Sequence, residues 1–411
     1  MSIRQFIFKD KEKEKAAFQR NRNARLAKLL IMLCAISCFT YFNAARAVIC
    51  VSAVIFCILP GTRSKIFIHR GSLIILLFVL ITSVVALCYG NKLGFLCAFS
   101  FLAMMTVSFV TRSIATKRFY EQLLDSVIIG GCLATLGSII ERIVHYDVPG
   151  YRCTVLYPNP NFFGIGVTLV VLICAYKAIG RAKHSYIYYI AAVFNAVGIY
   201  LCGSMSLWVI AAIGIIIFLI ISHEYKLLAV FIGLGVLVLI TIILIPQFLP
   251  RINEMGDTTD NRITIWNFAI KHIKDTPIFG RGFFAYKHLY NQLSPTDPTI
   301  YKASLCHNIL IDSLLCHGIV GTALIFAYLT QYIRDIFACH TLLKSKGQDY
   351  TIIKFIVSVA AAVACYGMID TTVVWAQTGM IILFIASGIG VEERKVKHIN
   401  KKYSKSYRKQ R

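Results

Sequence analysis

Residues 71–88, "GSLIILLFVLITSVVALC", decide the fold. The run carries no charge, and a helix of that length covers about 27 Å, close to the roughly 30 Å hydrocarbon core of a bilayer. Similar apolar blocks recur along the 411-residue chain, which is 57% hydrophobic, against roughly 45–50% in a soluble domain. The chain therefore reads as an all-α, polytopic membrane helix bundle of about twelve spans. They fall near 28–43, 47–60, 71–88, 94–111, 123–141, 161–180, 185–203, 205–222, 226–246, 306–330, 353–370 and 374–391. This gives a basic tail over 1–27, nine spans within 28–246, one large extracytoplasmic loop over 247–305, three spans within 306–391 and a second basic tail over 392–411.

The net charge of +24 does not mark a nucleic-acid binder, because the basic residues crowd the tails and alternate connections, as cytoplasmic loops do. With the N-terminus inside, the cytoplasmic connections hold Arg63, Lys65, Arg70, Arg112, Lys117, Arg118, Arg181, Lys183, Lys226, Arg334, Lys344 and Lys346. The short outer loops hold Arg46, Lys92, Arg142 and Arg152. An even number of spans returns both tails to the cytoplasm, beside anionic lipid. Residues 1–27 are too charged for the apolar core of a signal peptide.

The 14 cysteines show no metal-ligand spacing, and most lie in apolar runs where Cys packs as a small hydrophobe. Cys153 and Cys306 fall at outer positions, and two free thiols are favoured there over a disulfide.

Two outer segments are long: 142–160, and the loop that follows the ninth span. In the second, "DNRITIWNFAIKHIKDTP" predicts an amphipathic helix with Ile263, Trp266, Ile270 and Ile273 on one stripe and Asp260 or Asn261 as its cap. Such a helix lies on the membrane face. The outer segments also carry Arg152, Arg251, Arg262 and Arg281. Cations placed against the positive-inside trend suit an anionic ligand such as a diphosphate, which the planar guanidinium binds with paired hydrogen bonds. The lysines of the loop read as ordinary surface charge.

"SLCHNILIDSLLCHGIVG", residues 304–321, sets His307 and Asn308 at the mouth of a helix. Asp312 lies one turn below Asn308, and His317, ten residues after His307, lies about 15 Å from it along the axis, too deep for the same centre. His317 reads as an interior histidine, and Asn308 as a cap. In "YPNPNFFGIG", Asn159 and Pro160 suit a helix start.

The ordered set "YPNPNFFGIG", "GSMSLW", "NRITIW", "TPIFGRGFFAY" and "HNILIDSLLCHGIVG" resembles the O-antigen ligase and polymerase superfamily, the Wzy/WaaL-like glycosyltransferases of bacterial membranes. The similarity spans roughly residues 150–325. It implies a C-type glycosyltransferase-like bundle in the cytoplasmic membrane that moves a saccharide from undecaprenyl diphosphate to a sugar hydroxyl. The reaction it implies is inverting and metal-independent, with no cofactor. Partners would be the lipid-linked oligosaccharide, a saccharide acceptor, membrane lipid, a chain-length regulator and a flippase.

On that resemblance His307 becomes the general base, or the group that orients the acceptor hydroxyl, and Arg262 the diphosphate clamp. Arg152, Arg251, Arg281, Asn308 and Trp266 are the substrate-binding candidates. One position departs: members carry Arg after Ser at the helix junction, where this chain has Met205 after Ser204. Arg152, Arg251 and Arg281 are the candidates to replace it. A repeat-unit polymerase is the leading expectation. A ligase acting on lipid A-core or another envelope acceptor, and a flippase or transporter, are the alternatives.

Overall fold

The computed structural model describes residues 22–69, 71–180, 184–245, 255–297, 299–371 and 375–409. Among them all regular structure is helical. Seven helices are long and apolar enough to cross a membrane: α4 (Gly71–Cys88), α5 (Lys92–Ile114), α6 (Lys117–Val144), α7 (Pro160–Ile179), α9 (Met205–Ser222), α10 (Tyr225–Leu244) and α13 (Ile309–Ser345). Three shorter apolar helices, α2 (Phe42–Ile58), α8 (Ser185–Leu201) and α14 (Thr351–Gly367), fill three more expected spans. Helix α1 (residues 22–37) and α15 (Ala376–Ala386) occupy the remaining two. The fold is thus the expected polytopic bundle. Shorter helices are α3 (Arg63–Ile66), α11 (Met255–Ile273) and α12 (Ala285–Leu293), and α16 (Ile389–Lys409) ends the described chain.

Helix α7 forms the centre. It is apolar all round and buried over most of its length, as such a pattern demands. It packs on α6, α8, α9 and α15. Helix α10 is the opposite case: equally apolar, it has no buried residue and leans on α9, which suits a helix solvated by lipid.

Hydrogen bonds between connections tie each end of the bundle. At one end Tyr157 Oη donates to Cys38 O, Gln377 Nε2 to Thr40 O, and Asn91 Nδ2 to Arg281 O and Phe283 O. At the other, Arg112 on α5 bridges Asp335 on α13 and Glu393 on α16, and Arg394 donates to Ser113 O.

Three details differ from the sequence reading. The first turn falls at 38–41, so Arg46 lies inside α2 rather than in a loop. Helix α11 starts at Met255, before Asp260 and Asn261, so neither caps it. Its inward stripe is Ile265 and Ala269, fully buried, while Ile263 and Ile270 are exposed.

The third difference concerns α13, which does not run unbroken. At Gly318 the backbone takes φ 59° and ψ −166°, a region essentially reserved for glycine. The freed groups bond to the turn at residues 277–282. Ile319 N donates to Pro277 O and Val320 N to Ile278 O, while Arg281 N and Gly282 N donate to Cys316 O. Irregular backbone at membrane depth survives only when protein satisfies it in this way. The approach is close enough to need glycine on both sides. A Cβ on Gly280 would meet the Cys316 backbone at 2.5 Å, and one on Gly318 would meet Ile278 O at 2.4 Å.

Candidate active site

The site is built where the loop before α7, the start of α13 and the end of α14 converge. Asn159 caps α7 through the Asn161 amide, with Pro160 in the first turn, as the sequence predicts. That cap holds Asn161 at the mouth of the bundle. In the preceding loop, the Glu141 carboxylate accepts from Tyr151 Oη, Thr154 N, Thr154 Oγ1 and Val155 N. This gathers the loop around Arg152. The bond to Glu141 pushes the Tyr151 hydroxyl up to about 12.

Arg152 Nε donates to Cys202 O at 2.8 Å, and its Nη2 donates to Asn161 Oδ1 at 2.6 Å. Asn161 Nδ2 donates to Asp370 Oδ2 at 3.0 Å. Asp370 Oδ1 faces His307 Nδ1 at 3.2 Å. A polar relay therefore runs from Arg152 through Asn161 and Asp370 to His307. The His307 side chain is 30% exposed and that of Asp370 only 3%, so the ring can be reached while its carboxylate is sealed.

The geometry fixes a tautomer. A carboxylate only accepts, so in the neutral imidazole Nδ1 carries the proton and Nε2 keeps its lone pair. A ring held this way can take a proton at Nε2.

His307 has φ 52°, in the left-handed region where His is tolerated better than most side chains. Its neighbours hold it there. Asn308 Oδ1 caps the amides of Leu310 and Ile311, and Asn308 Nδ2 donates to Met368 O. Asp312 Oδ1 accepts from Cys306 N, and Trp266 Nε1 donates to Cys306 O at 2.9 Å. Asp312 thus fixes the turn that presents His307. Trp266 fixes α11 against the same turn.

Arg262 is half-buried on α11, four residues before Trp266 and so on the same face, one turn away. Arg281 engages Tyr89 and Asp275 rather than the relay. Its guanidinium lies 5.0 Å from the Tyr89 ring centre, and its Nη2 is 3.9 Å from Asp275. Arg251 lies outside the described residues. His317 is buried against Phe78 and Phe283, with Nδ1 3.5 Å from Thr82 Oγ1. Cys153 and Cys306 are free, buried thiols. Burial pushes the Cys153 thiol up to about 11.

Arg152 also lines an open pocket with Arg142, Gly203, Ser204, Met205 and Trp208. Its side chain lies against Gly203. The position that Met205 leaves uncharged is therefore faced by Arg152 from the neighbouring loop.

Asp370 and Asn161 were missed as site residues. Asp370 closes an apolar run as a lone carboxylate, which was the available signal. Asn161 was absorbed into a capping motif.

Fold and site define a polytopic helical membrane protein with an Arg–Asn–Asp–His relay at one end. Residues 190–326 match the family model for O-antigen ligase, in agreement with the resemblance read from the motifs. The function is accordingly of the O-antigen ligase and polymerase type, and family members are glycosyltransferase-like enzymes. No curated protein matches the chain. The matched segment holds Met205, Arg262, Trp266, Arg281, His307 and Asn308, whereas Arg152, Asn161 and Asp370 flank it.

Proposed function

We propose that this protein is a surface-polysaccharide repeat-unit polymerase acting at the outer face of the bacterial cytoplasmic membrane. The observation that carries the reading is the 3.2 Å approach of His307 Nδ1 to the sealed Asp370 carboxylate, with Arg152 at the other end of the relay. In this reading His307 Nε2 takes the proton from an acceptor hydroxyl. The hydroxyl oxygen bonds to the anomeric carbon from the face opposite the leaving group, inverting it. The bond to the diphosphate oxygen breaks, and undecaprenyl diphosphate leaves with its electron pair.

The developing negative charge needs cations aimed at it. Arg152 and Arg262 supply them in this scheme, with no metal required. Orientation follows from charge: the end that holds Arg112, Lys117 and α16 faces the cytoplasm, so the His307 end faces outward.

The description of the matched family favours a second reading, a ligase that hands a finished chain to an envelope acceptor. Transport draws less support, because the polar groups converge at one end of the bundle rather than at its middle. The test is incubation of the purified protein with an undecaprenyl-diphosphate oligosaccharide. A ladder of products with release of undecaprenyl diphosphate supports a polymerase. Transfer only to an added envelope acceptor supports a ligase.

A further inference from the structure

A second pocket lies beside the turn that carries His307. Its wall includes Leu305 and Asp312, which bracket His307 in sequence, and Asp312 holds the Cys306 amide. The same pocket is lined by the aromatic rings of Phe42, Phe284 and Trp375. The Trp375 ring lies 4.3 Å from that of Phe162, the residue after Asn161 of the relay. Trp375 thus joins the pocket to the helix turn that carries Asn161.

Three features set the chemistry of its occupant. Trp375 contacts Phe42 at 4.8 Å and Phe284 at 5.3 Å between ring centres, which makes a rigid platform for an apolar ring face. Among the described residues the buried Trp375 indole N–H has no acceptor, although a buried indole normally has one. Arg46 brings a cation into the same cavity from within α2, one turn from its start, where an ionisable side chain in a span marks a binding position by default. A sugar ring has all three complements: C–H faces for the aromatic platform, hydroxyl oxygens for the indole N–H, and further oxygens for the guanidinium. A polyprenyl tail offers nothing to Arg46 or to the indole.

We propose that this cavity seats the acceptor saccharide, the sugar whose hydroxyl attacks, while the Arg152 cavity takes the diphosphate of the donor. The assignment rests on His307 being the base of a glycosyl transfer, the residue that Leu305 and Asp312 of the pocket wall bracket in sequence.

The test uses the full-length protein in detergent and two separate probes. One is the repeat-unit oligosaccharide released by mild acid from the host's own lipid carrier. The other is undecaprenyl diphosphate. Binding of each is measured for wild type, Trp375→Phe and Arg46→Gln. Trp375→Phe keeps an aromatic ring and removes the N–H, so folding is preserved. Oligosaccharide binding is expected to weaken by about tenfold in Arg46→Gln and several-fold in Trp375→Phe, with undecaprenyl diphosphate binding unchanged in both. Unchanged oligosaccharide binding in both variants overturns the assignment, as does a loss confined to undecaprenyl diphosphate, which would make the cavity a lipid site. A wild-type protein that binds the oligosaccharide through Trp375 but shows no affinity for undecaprenyl diphosphate supports the cavity and instead sinks the donor chemistry proposed above.

Discussion

Asp370 Oδ1 lies 3.2 Å from His307 Nδ1, though 63 residues separate them in the chain. The contact joins the end of α14 to the start of α13 and orients an imidazole whose second nitrogen is left to act.

Asp370→Asn tests that orientation. An amide can donate to Nδ1 and so favours the tautomer with the proton on Nε2, which cannot act as a base. Turnover should fall by about 10²- to 10⁴-fold, with acceptor binding little changed. Turnover within a few-fold of wild type, measured on purified protein, would remove Asp370 from the mechanism.

Arg152→Lys separates charge from geometry. Lysine keeps the charge but cannot donate in a fixed fork to both Cys202 O and Asn161 Oδ1. The expected result is a loss of at least about tenfold in kcat/KM for the lipid-linked donor, from charge-assisted bonds worth roughly 1.5–3 kcal/mol. Donor titrations read it directly, and wild-type kinetics in the lysine variant would reduce Arg152 to a point charge.

The break in α13 predicts an asymmetry among glycines. Gly318→Ala places a side chain in a glycine-only backbone region and against Ile278 O, so it should cost roughly 2–5 kcal/mol. Gly233 on α10 has nothing within 4 Å of an added Cβ. Gly233→Ala should leave the midpoint unchanged or raise it by up to about 1 kcal/mol of stability. Thermal unfolding in detergent compares the two, and equal midpoints would contradict the inserted turn.

At the other end of the bundle, Arg112 is buried between Asp335 and Glu393. Removing it strands two carboxylates, and breaking a buried pair costs about 3–5 kcal/mol. Because Glu393 belongs to α16, Arg112→Ala should also loosen that helix. Limited proteolysis at the C-terminal end is expected to speed up. An unchanged cleavage rate would show that α16 is held by its buried Ile389 and Val391 alone.

Much of this architecture was legible because membrane spans announce themselves by length and by absence of charge. What escaped depended on partners distant in sequence. The stripe on α11 was half right: Trp266 and Ile273 pack inward beside Ile265 and Ala269, whereas Ile263 and Ile270 face out, and Ala269 is a small residue that scores weakly in an apolar pattern. Gly318 looked like a packing glycine, and only the turn at Gly280 and Gly282 explains why it breaks the helix. His307 was singled out by the motif resemblance, since its position at a helix mouth alone suits a cap as well. Asp370 could not, because its meaning depends on His307 and Asn161 arriving from two other helices.

The central claim is that His307 is the base of a glycosyl transfer. The most direct measurement is single-turnover transfer by purified wild type and His307→Ala, with undecaprenyl-diphosphate oligosaccharide as donor and matched thermal unfolding to confirm folding. A folded variant slowed by at least about 10²-fold, with donor binding retained, is the predicted result. Transfer at the wild-type rate by a folded His307→Ala protein would contradict it.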